Sequence, residues 1–281
     1  MSVLDPFTHA LAAVLAAAHS VATAAGLAPD TGLTWVLCIA VLVAGVRLLL
    51  LPLVVHGVRA AHTNARMRPH LKTLTDRHRA ALDARDPEAM RAFMEQRRAL
   101  AREHGASRLG CLPLLLQLPV WIGLFHLISD AASGTTTGAM DSGLVASLGA
   151  ATLLGIPLAD RGYAGAGPEH LLVVAGLAGT AALLSFVTQR VFVLPNTVLT
   201  DMPDAFAQAQ RLMPTLSAVG ILVAGGIVPV ALLVYWVCNN GWTLAQSAAV
   251  WRWYPTPAPR PPPCACRRPE SGSGPRDPDV V

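Results

Sequence analysis

Charge is what this sequence has least of. Asp, Glu, Lys and Arg make up 14% of its 281 residues, where a soluble globular domain carries about 25%. That deficit excludes an ordinary soluble domain and points toward lipid. Positive charge is missing from the start: no Lys or Arg precedes Arg47. The apolar, alanine-rich stretch 1–28 therefore lacks the basic beginning of a secretory signal, and Cys38 is not preceded by the small residues of a lipobox. An interfacial helix on the outer surface is the expectation for it, since His9 and His19 count against a further span. The five cysteines show no disulfide or zinc spacing. Cys38, Cys111 and Cys238 fall in apolar stretches, where thiols act as small hydrophobes, and Cys264 and Cys266 fall in a proline-rich tail. There is no HExxH, no pair of aspartates in an apolar stretch and no P-loop lysine motif, which leaves an intramembrane enzyme without its usual machinery. No catalytic residue, cofactor or metal is expected.

What is present is apolar sequence in blocks. Residues 33–46, 109–129, 171–189 and 212–251 carry no charge, and a helix crossing a bilayer needs ~20 predominantly apolar residues. The first block resumes beyond Arg47 and reads as one helix over 33–55. The last block is long enough for two spans, with Gly225, Gly226 and Pro229 marking the turn between them. The expected fold class is all-α: a polytopic membrane protein with five transmembrane helices, at about 33–55, 109–129, 170–189, 212–227 and 229–251, plus a cytoplasmic helical hairpin. An outer interfacial segment at 1–32 precedes this 33–251 core.

Basic loops stay in the cytoplasm. Of the 21 Lys and Arg residues, 12 lie in 56–108, two (Arg190 and Arg211) in 190–211 and five from Arg252 onward, while only Arg161 lies in 130–168. Five spans with the N-terminus outside and the C-terminus in the cytoplasm put 19 of the 21 inside. The segment 56–108 is rich in helix formers and breaks near Asp86-Pro87, where Asp86 suits an N-cap and Pro87 the first helical position. Its apolar residues Leu71, Leu74, Met90, Phe93 and Leu100 are sparse, so its two helices are expected to pack narrowly. Its basic excess suits anionic headgroups, RNA or acidic protein, and equally a solvated arm. The tail 252–281, basic and rich in proline, is expected to be disordered.

Arg47 stands alone inside a span. An arginine at the centre of a membrane helix costs about 2.5–3.5 kcal/mol even on lenient scales. At 1.5 Å per residue it sits ~21 Å from the outer end of its span and ~12 Å from the inner end. No Asp or Glu occurs in any of the five spans, so Arg47 has to meet water, backbone carbonyls, polar side chains or an anionic ligand. A wet cavity open toward the cytoplasm meets that need; snorkelling to the inner headgroups is the plainer alternative. Gln117, Ser185, Thr188, Gln189, Tyr235, Trp236, Asn239 and Asn240 are the polar or amphipathic span residues that could line it, because polar groups in lipid must be satisfied by protein or water. Helix-to-helix hydrogen bonding for Gln117 and interface anchoring for Trp236 are the structural alternatives. Prolines 52, 113, 119, 195, 214 and 229 loosen the helices.

Three blocks carry a family resemblance. The first is Val46-Arg47-Leu48 with Pro52-Leu53. The second is Glu103-His104-Gly105 followed by Gly110-Cys111-Leu112-Pro113-Leu114-Leu115-Leu116-Gln117-Leu118-Pro119. The third is Met213-Pro214, then the run from Pro229 to Tyr235-Trp236, Asn240 and Gln246. From about 33 to 251 the chain resembles the YidC/Oxa/Alb membrane insertases in their five-span bacterial form. The resemblance implies a bacterial plasma membrane protein with a hydrophilic groove open to cytoplasm and lipid, which inserts and helps fold client proteins. Arg47 corresponds to the groove arginine, Gln189 to its third-span glutamine, and Tyr235 or Trp236 to its last-span aromatic. With Gln117 and Asn240 these form the expected substrate groove. Nascent membrane proteins are the implied partners, and the Sec translocon, the ribosome and anionic lipids are further ones; DNA and small-molecule substrates are not. The chain departs from the family pattern at His56-Gly57, Ser107-Arg108 and Asn239, as a divergent paralogue would. A small-molecule transporter or channel is the competing reading. It predicts inverted repeats and charged or broken helices at the midplane, and no internal repeat is present.

Overall fold

The computed structural model describes residues 5–83, 86–103, 112–163, 167–196 and 204–253. The expected hairpin turn lies only partly within them. The Gly110-Cys111 motif, the start of the second expected span and the tail beyond Trp253 lie outside them. The all-α expectation holds. Helices α1 (Asp5–Ala24), α2 (Gly32–Leu49), α3 (Leu51–Asp83), α4 (Pro87–Glu103), α5 (Leu112–Ala132), α6 (Ser142–Ala150), α7 (Pro168–Val187), α8 (Asp204–Gly225) and α9 (Val230–Trp253) account for most of the described residues. Three helical stretches among these are long and apolar enough to cross a membrane: Asp5–Ala24, Gly32–Leu49 and Pro168–Val193.

The bundle has two ends. At one, the hairpin end, α3 and α4 pair. Asp86 accepts a bond from the Glu88 amide at 3.0 Å, so the acid before Pro87 caps α4 as its position suggests. The contact is narrow, as expected: Met67 and Leu74 are buried, His78 lies against Phe93 at 5.8 Å between ring centres, and Met90 stays exposed.

At the other, the loop end, α6 and a short hairpin β1 (Thr152–Leu153) and β2 (Ile156–Pro157) lie over the helices. Leu154 and Gly155 both have positive φ, the signature of the two-residue turn whose twist matches a β-hairpin. The chain then bonds to the start of α9. The carbonyls of Asp160 and Leu158 accept from the amides of Val230 and Ala231, each at 2.9 Å. Two of the donors that a helix N-terminus otherwise leaves unpaired are thus satisfied. Gly32 begins α2 against the same hairpin, and a Cβ there would fall 2.1 Å from the Thr152 carbonyl oxygen, so only glycine fits this approach.

α1 packs on α2 and α5 through Leu11, Ala12 and Leu15. His19 is buried rather than disruptive: its Nε2 meets the Pro29 carbonyl at 3.1 Å and its ring tilts over Trp35 at 4.8 Å. Trp35, fully buried, donates to Ser147, which donates on to the Pro29 carbonyl. The Trp35 N–H, the Ser147 hydroxyl and the Pro29 carbonyl of this small outer network all have partners, as burial demands.

Two boundaries differ from expectation. The stretch 33–55 is not one helix: α2 ends at Leu49, Leu50 adopts φ −83° and ψ −3°, and α3 starts at Leu51. Pro52 explains the break. It has no N–H to give the Leu48 carbonyl, and its ring would clash there in a continuous helix, whereas in a first turn the missing donor costs nothing. The helix that begins as α7 continues beyond Val187 as a π-turn, Thr188–Val193, and a single 3₁₀ turn, Leu194–Asn196, which contains Pro195.

Candidate functional site

Packing density changes along the bundle. On α2, Trp35, Cys38, Ile39, Leu42 and Val43 are buried, whereas Val46 and Arg47 are half-buried and Leu48 and Leu49 exposed. On α9, the stretch from Val230 to Tyr235 is buried, and from Trp236 onward no residue is. α5 likewise buries Leu124, Leu127, Ile128 and Ala131 near the loop end. α2 and α9 are close-packed toward the loop end and lose that packing toward the hairpin end, while the helix that begins as α7 keeps buried residues as far as Thr188.

Arg47 lies where that packing is lost. Its Nη2 donates to Asn239 Oδ1 at 2.7 Å and to Thr243 Oγ1 at 3.0 Å. The Thr243 hydroxyl in turn donates to the Asn239 carbonyl at 2.8 Å, which leaves its oxygen lone pair aimed at the guanidinium. Tyr235, Asn239 and Thr243 are spaced i, i+4, i+8 on one face of α9, and Tyr235 is close enough to Arg47 to interact with it electrostatically. A guanidinium has five N–H groups. Nη2 uses its two; among the described residues, Nε and Nη1 have no partner. Three charged donors are therefore free for water or an anion at a half-buried position.

The other expected groove residues are arranged differently. Gln189 lies in the π-turn, half-buried, and its Nε2 donates to Ser185 Oγ at 3.3 Å instead of reaching Arg47. π-turns insert one extra residue and often mark functional positions. Asn240 donates to the Trp236 carbonyl within its own helix at 2.9 Å, so this pair occupies a neighbouring face of α9. The backbone of Gln117 belongs to α5, but its side chain is outside the described residues. Thr243 is absent from the sequence-derived set. Its signal was available as the third member of the Tyr235-Asn239-Thr243 stripe, but a threonine mid-helix usually bonds its own backbone, as this one also does. Among the described residues no group of His, Cys, Asp or Glu could hold a metal ion.

Residues 26–256 match the model of the family described as 60Kd inner membrane protein. Over 238 residues the chain is 31% identical to a protein of Streptomyces avermitilis named Membrane protein insertase YidC, covering 81% of this chain and 54% of that one. It is 26% identical over 268 residues to one so named from Tropheryma whipplei, covering 91% and 86%, and 27% identical over 255 residues to one from Mycolicibacterium paratuberculosis, covering 79% and 68%. The chain thus spans about half the length of the Streptomyces relative and most of the Tropheryma one. The matched region runs from just before α2 to just past α9 and holds Arg47 with both its partners: this chain belongs to the 60Kd inner membrane protein family.

Proposed function

We propose that this chain is a membrane protein insertase that passes client segments through a hydrated groove at the hairpin end of the bundle. The single observation that carries the proposal is Arg47, held by Asn239 and Thr243 through one nitrogen, with three N–H groups that have no partner among the described residues. The names of its relatives support the same reading and favour it over a small-molecule transporter. The groove shortens the apolar path, Arg47 gives acidic residues of a translocating tail a transient cation, and partition of the client's apolar helix into lipid drives the process. Gln189, Tyr235, Trp236, Asn240 and Gln117 are the further groove residues in this proposal.

The five-span topology, with the hairpin α3–α4 and the C-terminus in the cytoplasm, belongs to the same proposal and rests on the distribution of Lys and Arg. An interfacial α1 fits the contacts at both its ends: His9 lies against Gly138 of the loop end, and His19 against Trp35 and Pro29. With native cysteines replaced, a single cysteine at Leu154 should react with an impermeant maleimide added outside, and one at Thr75 should not; labelling at Thr75 refutes the topology.

The decisive assay for the groove is reconstituted insertion of two matched clients, one with an acidic translocated tail and one with that tail neutralised. Arg47→Ala should reduce insertion of the acidic client by at least about tenfold, the scale of one lost charge-assisted bond, and of the neutral client far less. Arg47→Lys should retain much of the activity, since it keeps a cation on a long stem. Equal loss for both clients would show that Arg47 only hydrates or shapes the groove.

A further inference from the structure

Away from Arg47, between the end of α7 and the start of α8, lies a cavity of about 440 Å³ lined by Phe186, Arg190, Leu194, Arg211, Pro214 and Thr215. Two arginines from different elements face one space. Their level can be checked from the helices themselves. A Cβ on Gly225 would fall 2.9 Å from the Ala178 Cβ, so these residues mark one height on two antiparallel helices. Arg190 lies 12 residues beyond Ala178 and Arg211 lies 14 before Gly225, which at 1.5 Å per residue is ~18 Å and ~21 Å. The two guanidinium-bearing positions are therefore within about 3 Å of a common level, at the hairpin end. Like charges so placed repel unless something anionic lies between them. Among the described residues neither arginine side chain donates a hydrogen bond or forms an ion pair. The side chains of Asp201 and Asp204, the nearest acids in sequence, are outside those residues.

We infer that this cavity binds the phosphodiester headgroup of an anionic glycerophospholipid, with Arg190 and Arg211 as its two cationic arms. Arginine's planar fork suits phosphate oxygens, and Thr215 adds a hydroxyl. Phosphodiester chemistry alone does not separate a lipid from a soluble phosphate, but the surroundings do. Phe186, Leu194 and Pro214 form an apolar wall beside the arginines, and the same turns carry exposed Val191, Val193, Leu212, Met213 and Leu216. A headgroup with its acyl chains along those residues satisfies both halves of the site, whereas a free anion leaves the apolar half bare. The bound lipid would also bridge the π-turn and α8, which among these helices packs chiefly on α7.

Native mass spectrometry of the full chain in detergent, titrated with dioleoyl phosphatidylglycerol, tests this without any client, so its outcome is separate from that of the insertase assay. One phosphatidylglycerol should be retained at concentrations where dioleoyl phosphatidylcholine is not. Arg190→Gln with Arg211→Gln should weaken retention at least about tenfold. Arg97→Gln with Arg98→Gln, which removes the same charge from the hairpin, should leave it within about twofold, as expected for exposed charges distant from the site. If the Gln pair at the cavity fails to fold, Arg190→Lys with Arg211→Lys decides, since it must still prefer phosphatidylglycerol. The inference is overturned by equal retention of phosphatidylcholine, by equal loss in the hairpin variant, by a Lys pair without preference, or by millimolar inorganic phosphate displacing the lipid.

Discussion

The two ends of this bundle hold polar groups in opposite ways. At the loop end, Trp35 is fully buried and its indole N–H has one partner, Ser147, in a chain that closes on the Pro29 carbonyl. At the hairpin end, Arg47 carries a full charge, is half-buried, and leaves three N–H groups without a described partner. The first arrangement is complete, so it specifies one packing. The second is incomplete, so it keeps room for water and for whatever comes in from outside. One end can be rigid because the other does not have to be, and α2 and α9 run through both.

That contrast can be broken experimentally. The largest effect should come from Trp35→Ala, which empties a fully buried site; core Trp→Ala changes cost about 3–5 kcal/mol. Because lipid is as apolar as a side chain, this loss is one of packing rather than of transfer from water. Reversible unfolding in mixed micelles, followed by circular dichroism, measures it. Ser147→Ala comes next. It strands the Trp35 N–H in a dry setting, where an unsatisfied group costs about 1–3 kcal/mol, while the Pro29 carbonyl keeps His19. Asp86→Ala removes the α4 cap and should cost about 1 kcal/mol, confined to α3–α4 and visible as faster amide exchange there. Asn239→Ala should be smallest, under about 1 kcal/mol, because water can replace the lost acceptor of Arg47. Should Asn239→Ala prove as costly as Ser147→Ala, the hairpin end is dry and the contrast fails.

Much of this was legible in the residues. The apolar blocks show the helices, Asp86-Pro87 shows where α4 begins, and Arg47 stands out because charge within an apolar run is expensive. What stayed hidden has physical reasons. The break at Leu50 sits in a run of leucines whose hydropathy does not change there, and only Pro52 betrays it. A π-turn changes the backbone register by one residue without demanding any side chain, so 188–193 looks like more helix. The loop-end hairpin is set by positive φ at Leu154 as well as Gly155, and leucine gives no hint of it. Asn239 and Thr243 are ordinary polar residues until a partner 192 and 196 positions earlier is brought against them.

That separation has a consequence in time. Chains are made at ~5–20 residues per second, so roughly 10–40 s pass between synthesis of Arg47 and of the two residues that hold it. If the chain enters the membrane as it is made, its own arginine waits in an apolar segment for that interval with neither Asn239 nor Thr243 yet present. The same holds for the Leu158 and Asp160 carbonyls, which precede the α9 amides they accept by about 70 residues. The last helix thus serves both ends, its first turn the loop end and its middle the hairpin end; a chain stopped short of Val230 would lack the contacts at both, and one stopped between Ala231 and Asn239 would lack only those of Arg47.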